Sequence, residues 1–111
     1  MNSFYEQLIN DSDTILFTKE DAPEKVAIGE KGIEESTSEL EHILSLGVIE
    51  FHAIKAQEND GVLYIGKALL KLPKNSQNRE EIFQWSGGIA NSMGFDAEVD
   101  EGQDYLFIAF D

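Results

Sequence analysis

Apolar and polar positions alternate most clearly near the end of the chain. Phe95, Ala97 and Val99 are interleaved with Asp96, Glu98 and Asp100, which is the two-residue period of a half-buried strand. Glu101, Gly102 and Gln103 read as a turn, with the glycine free to take a positive φ. Tyr105, Leu106, Phe107, Ile108, Ala109 and Phe110 are then apolar without interruption, as in a strand covered on both faces. The pattern predicts a closing hairpin whose first strand shows carboxylates to solvent and whose return strand is buried.

A helical period governs two other stretches. Leu40, Ile43 and Leu44 share a face, with Ile33 and Leu46 near the ends, and predict a helix over residues 33–46. Ser36 with Glu39, and Ser38 with Glu41, both match a capping box, which would start that helix later than Ile33. Gly47 fits the left-handed position that closes it. Ile82, Trp85, Ile89 and Met93 recur at three- and four-residue spacing, with Phe83 and Ala90 beside them. They predict a second helix over about 79–93, led in by the N-cap candidates Asn75, Ser76, Gln77 and Asn78 and ended by Gly94. Gly87 and Gly88 interrupt it, each costing about 1 kcal/mol relative to alanine. Either the helix bends there or another backbone packs close.

The remaining segments complete the order. Phe4 with Leu8 and Tyr5 with Ile9 predict a short helix over 2–10. Residues 14–18 are β-branched and aromatic and predict a strand. Residues 19–32, punctuated by Pro23, Gly29 and Gly32, carry either a short strand at 26–28 or the start of a broken helix. Residues 48–56 and 62–72 flank Asn59, Asp60 and Gly61, and Asp-Gly between β-rich runs signals a hairpin, stopped by Pro73. Along its first strand Phe51, Ala53 and Lys55 project one way and Glu50, His52 and Ile54 the other. Hairpins separated by helices predict an α+β fold, an antiparallel sheet of about 4–6 strands with two or three helices packed on one face. A length of 111 residues suits one domain, residues 1–111, with a single core.

Charge changes this picture most. The formal net charge is −14, beyond the magnitude of roughly 2–8 that serves a small soluble domain. Phosphate binding needs clustered lysine and arginine, so nucleic acid is excluded as a partner, and an anionic membrane surface with it. The absence of cysteine removes disulfides, thiol catalysis and thiolate metal sites. The first residues lack a basic region followed by an apolar one, and no apolar run approaches a membrane span. The expected location is the cytoplasm.

Motifs for catalysis or cofactors are near misses. Gly61 to Ala68 approaches a phosphate-binding loop, but Ala68 lacks the magnesium-binding hydroxyl and the intervening residues are β-forming. Ser86 with Gly88 resembles half of a nucleophile elbow inside a predicted helix, where the elbow requires a strand-to-helix turn. Asp96, Glu98, Asp100 and Gly102 do not match a calcium loop, which wants glycine and glutamate where Glu101 and Phe107 stand. His42 and His52 are too few for a histidine metal site, although His42 lies one helical turn from Glu39, where a pH-responsive pair would form. No catalytic residue, metal or cofactor is expected.

The acids are unevenly placed along the chain. They concentrate in 20–41 and 96–104, whereas Lys55, Lys67, Lys71, Lys74 and Arg79 occupy the middle. This asymmetry points to a surface that meets a basic protein, steered by long-range attraction. The concrete expectation is an acidic inhibitor, a bacterial immunity protein or antitoxin that masks the basic active site of a nuclease toxin. Asp96, Glu98, Asp100, Glu101 and Asp104, flanked by Glu34, Glu35 and Glu39, are the expected contact residues, with Tyr105 or Trp85 as an aromatic anchor if exposed. A phage-type inhibitor of a host defence enzyme, with carboxylates spaced like DNA phosphates, is the alternative. A small non-catalytic acidic domain, whose charge serves solubility alone, is a further alternative, and a small enzyme or ligand-binding domain would instead require an enclosed apolar pocket with converging polar groups.

Overall fold

A computed structural model describes residues 14–110. The helix expected over 2–10 lies outside the described residues. The elements run β1 (Ile15–Phe17), β2 (Val26–Ile28), α1 (Ile33–Ser45), β3 (Glu50–Ile54), β4 (Gln57–Asn59), β5 (Val62–Ile65), β6 (Lys67–Lys71), α2 (Ser76–Ser92) and β7 (Tyr105–Ala109). The class is α+β, as the pattern predicts, but the strands form two sheets instead of one. One is four-stranded and antiparallel, in the order β1-β3-β6-β7. The other is three-stranded and mixed, in the order β2-β5-β4, with β2 parallel to β5.

The division happens inside the middle hairpin. Asp60 and Gly61, at φ 54° and 80°, form the expected turn, and it joins β4 to β5. Farther along the same ribbon β3 pairs with β6, from Glu50 opposite Lys71 to Ile54 opposite Lys67. The ribbon therefore changes sheet partway along. Lys55, at φ 51°, makes the bend on one strand and Gly66 lies between β5 and β6 on the other. Bends of this kind let a twisted ribbon serve two sheets. Both faces of β3 are covered, since His52 and Ile54 are as buried as Phe51 and Ala53. Phe17 and Phe51, opposite each other in the β1–β3 register, stack with centroids 4.8 Å apart.

Residues 26–28 form a strand, not a broken helix, and all three are buried. The outer edge of β2 is closed by α1: the Val26 N–H donates to Thr37 Oγ1 at 3.2 Å and the Ile28 N–H to Ser36 Oγ at 2.9 Å. This corrects the capping-box reading. The helix starts at Ile33 behind Gly32, which has no side chain to cap it, and the Ser36 hydroxyl accepts from the strand instead of serving as an N-cap. α2 also starts earlier than its pattern predicts, at Ser76, with the Asn75 side chain accepting the Asn78 N–H. Gly47 and Gly94 take positive φ behind the two helices, as expected.

The closing hairpin is overturned. β7 pairs with β6, Tyr105 opposite Lys71 and Ala109 opposite Lys67, but residues 95–100 form no strand. Phe95 and Val99 are 60% and 71% exposed. Asp100 is drawn to Arg79 instead of extending a ladder. Along β7 only Leu106 and Ile108 are buried, so this strand alternates and is not covered on both faces. The core is a continuous cluster that takes in Val26 and Ile28, Leu40, Ile43 and Leu44, Phe51, Leu63 and Ile65, Leu70, Ile82 and Leu106, and so joins both sheets to both helices.

Candidate aromatic groove with a carboxylate rim

The apolar stripe of α2 is core at one end only. Ile82 is fully buried, whereas Trp85 and Ile89 are half-buried. Trp85, Gly88, Ile89, Ser92 and the C-cap Met93 recur on one helical face and form a wall of an open groove of about 900 Å³. The opposite wall is α1, through Glu35 and Glu39, one turn apart, and the loop Glu30, Lys31 and Gly32. Ile28 and Phe110 complete it. The sheet junction places Phe110: its N–H donates to the Gly66 carbonyl at 2.9 Å, and the Gly29 N–H donates to the Ile65 carbonyl at 2.9 Å. Gly29 sits at φ +59°, and a Cβ there would lie 2.7 Å from the Phe110 carbonyl oxygen. Only glycine lets these backbones meet.

The groove has an aromatic corner and an anionic rim. The Trp85 and Phe110 rings lie 6.0 Å apart, tilted by 55°. The Trp85 indole N–H donates to Glu39 Oε1, which fixes ring and carboxylate together. Lys31 Nζ approaches the two oxygens of Glu39 at 2.9 and 2.7 Å. Glu30 and Glu35 have no cationic partner among the described residues.

The two glycines of α2 separate into different roles. A Cβ on Gly87 would stand 3.1 Å from the Ala97 side chain, so this glycine admits the 95–100 segment against the helix. A Cβ on Gly88 would meet nothing within 4 Å, and Gly88 lines the groove. Trp85 and Gly88 are the site residues that the periodicity alone conceals, since a stripe of this kind reads as core. The signal that could have separated them is a glycine at a stripe position, where packing would favour a side chain.

The eight expected contact carboxylates do not form one patch. Glu35 and Glu39 line the groove, and Glu34 is exposed beside them on α1. Asp96 and Glu98 border a separate hollow with Phe95 and Phe107, over another face of α2. Asp100 is held by Arg79, with Nη2 to Oδ1 at 2.6 Å and Nε to Oδ2 at 3.1 Å. Arg79 is buried and also donates to the carbonyls of Pro73 and Gln103. Glu101 and Asp104 are exposed on the turn that this arginine anchors. The Arg79 hydrogen bonds, with help from the Gly102 N–H, hold the Asp100 carboxyl below its ordinary value. Asp100 in turn raises the Arg79 guanidinium. Glu98 is exposed, and partial desolvation of its carboxyl beside that hollow, then repulsion from Glu101, push its pKa up.

The histidines do not act as the spacing suggests. Glu39 is engaged by Lys31 and Trp85, and His42 is exposed. His52 is buried with its Nε2 3.0 Å from Glu50 Oε1. Tyr105, half-buried in β7, does not line the groove, whereas Trp85 does, beside Phe110. The phosphate-loop near match is strand on both sides of Gly66, and Ser86 lies within α2 with its hydroxyl on the Phe83 carbonyl. Among the described residues no group of three or more potential ligands is placed to hold a metal ion, and no helix is long and apolar enough to cross a membrane. Compared with protein-family models, with curated proteins and with solved structures, the chain matches none.

Proposed function

We propose that this protein is an acidic binding protein that covers a basic surface on another protein, most concretely an immunity protein or antitoxin that occupies the phosphate-binding site of a nuclease toxin in the cytoplasm. The observation that carries this reading is the groove: an aromatic floor with Glu30, Glu35 and Glu39 around it, on a chain of net charge −14. Protein-binding hot spots combine an apolar or aromatic anchor with charge complementarity at the margin. Nuclease sites carry clustered lysine and arginine because they hold phosphates, which is the complement of this rim. The carboxylates of the 95–104 segment extend the negative field beyond the groove and favour fast encounter.

The alternative of a DNA mimic fares less well on the same geometry. Such a surface needs a long run of free carboxylates at duplex spacing, whereas Glu39 and Asp100 are tied to cations of the chain itself. The test is co-expression with a basic nuclease encoded beside its gene. The expected outcome is a complex that forms at low salt, weakens at high salt and abolishes cleavage of nucleic acid. Uninhibited cleavage in a mixture at equal concentration would overturn the proposal.

A further inference from the structure

The chain already contains a cation at the groove, and a glycine that its own packing does not explain. Lys31 lies on Glu39 with its side chain 39% exposed and that of Glu39 15% exposed, so the ammonium end is open to exchange while the more buried carboxylate still calls for a cation. It is a displaceable occupant. Beside it, Gly88 forgoes about 1 kcal/mol of helix stability relative to alanine, although a Cβ there would be unobstructed. What the bare backbone leaves open is floor space between Trp85 and Ile89, on the stripe that lines the groove. The Trp85 ring is held by Glu39 through its indole nitrogen and meets Phe110 at a wide tilt, giving two ring surfaces in a corner.

We infer that this corner receives one arginine side chain of the partner, with its guanidinium against Trp85 and facing Glu35 and Glu39, and that Lys31 is the internal stand-in it displaces. This rests on the reading of the groove as part of a partner surface. A planar, weakly hydrated cation stacks on an indole face and presents paired donors to carboxylates. An ammonium is a compact, strongly hydrated charge with no plane to stack and no fixed fork of donors, and a neutral apolar side chain would leave the rim carboxylates uncompensated.

Trp85 is the chain's only tryptophan, so its fluorescence and indole N–H resonance report on the corner alone. The probes are three capped pentapeptides, identical except for a central arginine, lysine or norleucine, titrated into the full chain. The arginine peptide is expected to shift the Trp85 signals with an affinity on the order of millimolar, and the norleucine peptide to leave them unchanged. Equal or tighter binding of the lysine or norleucine peptide would overturn the guanidinium assignment, as would the absence of any shift. Gly88→Leu fills the floor, and a loss of about tenfold or more in affinity is expected. The far-UV circular dichroism and Tm of Gly88→Leu, set beside those of the parent, serve as its folding control. A folded Gly88→Leu variant that binds the arginine peptide as well as the parent does would sink the inference. Lys31→Gln frees Glu39 and should tighten binding by about two- to fivefold; weaker binding would show that Lys31 is no stand-in. Failure here is distinguishable from failure of the inhibitor reading. A nuclease inhibited equally by the parent and by Gly88→Leu removes only the arginine corner, while peptide binding without nuclease inhibition removes only the inhibitor.

Discussion

Arg79 is the residue on which the acidic end of the molecule turns. Its guanidinium is buried and reaches Asp100 and the carbonyls of Pro73 and Gln103. Replacement by methionine keeps the apolar stem and leaves two carbonyls without their donor, so Arg79→Met should cost about 2–3 kcal/mol in urea unfolding. The neighbouring carboxylates then have opposite pH signatures. Asp100 has a folded-state pKa below its unfolded value, so its contribution is present above that value and is lost as pH falls through the folded pKa. The stability gap between the parent and Asp100→Asn should therefore be open at neutral pH and close below the ordinary aspartate value of 3.8. Glu98 is raised, so its ionised form penalises the fold above the folded pKa, and the penalty is relieved as pH falls past the unfolded value. Glu98→Gln should stabilise at neutral pH and have no effect once both forms are protonated. Unfolding curves of the two variants across acid pH check both signs.

At the scale of the elements, Ser36 and Gly88 set helix propensity against local demand. Propensity alone favours Ser36→Ala within α1 by up to about 0.7 kcal/mol. Because the hydroxyl accepts the buried Ile28 N–H, the substitution is expected to destabilise instead, by about 1–3 kcal/mol in chemical denaturation. Gly88→Ala has no such cost and should stabilise by up to about 1 kcal/mol, seen as a higher Tm. The same two residues show what was legible beforehand. Helical period and glycine stops located both helices through Leu40, Ile43 and Ile82, because tertiary burial follows those positions. The Asp60 and Gly61 turn was legible from local backbone preference. The division of the ribbon at Lys55 was not, since a lysine carries no signal for positive φ. The 95–100 alternation misled because Asp100 bonds to Arg79, far off in sequence, and a two-residue period records composition without the competing partner. The groove was hidden for a related reason: Trp85 and Ile89 have the spacing of core residues, and only the fold shows which part of a stripe is left uncovered.

Over the whole molecule, net charge outweighs any single pair. At −14, self-repulsion opposes the compact state, and salt screens it over about 10 Å at 0.1 M. Added sodium chloride should therefore raise the Tm of the free protein while weakening its association with a basic partner. A Tm that falls with salt over this range would mean that the internal ion pairs of Arg79 and Lys31 dominate the balance. The groove and the hollow bordered by Asp96 and Glu98 flank α2 on different faces, so a partner that engages both has to straddle that helix. The hydroxyl seal on β2 also bears on behaviour in a crowded solution. With the amide protons of Val26 and Ile28 committed to Thr37 and Ser36, a stray chain cannot add itself to that rim without evicting both groups, so fibre-like stacking finds no template there.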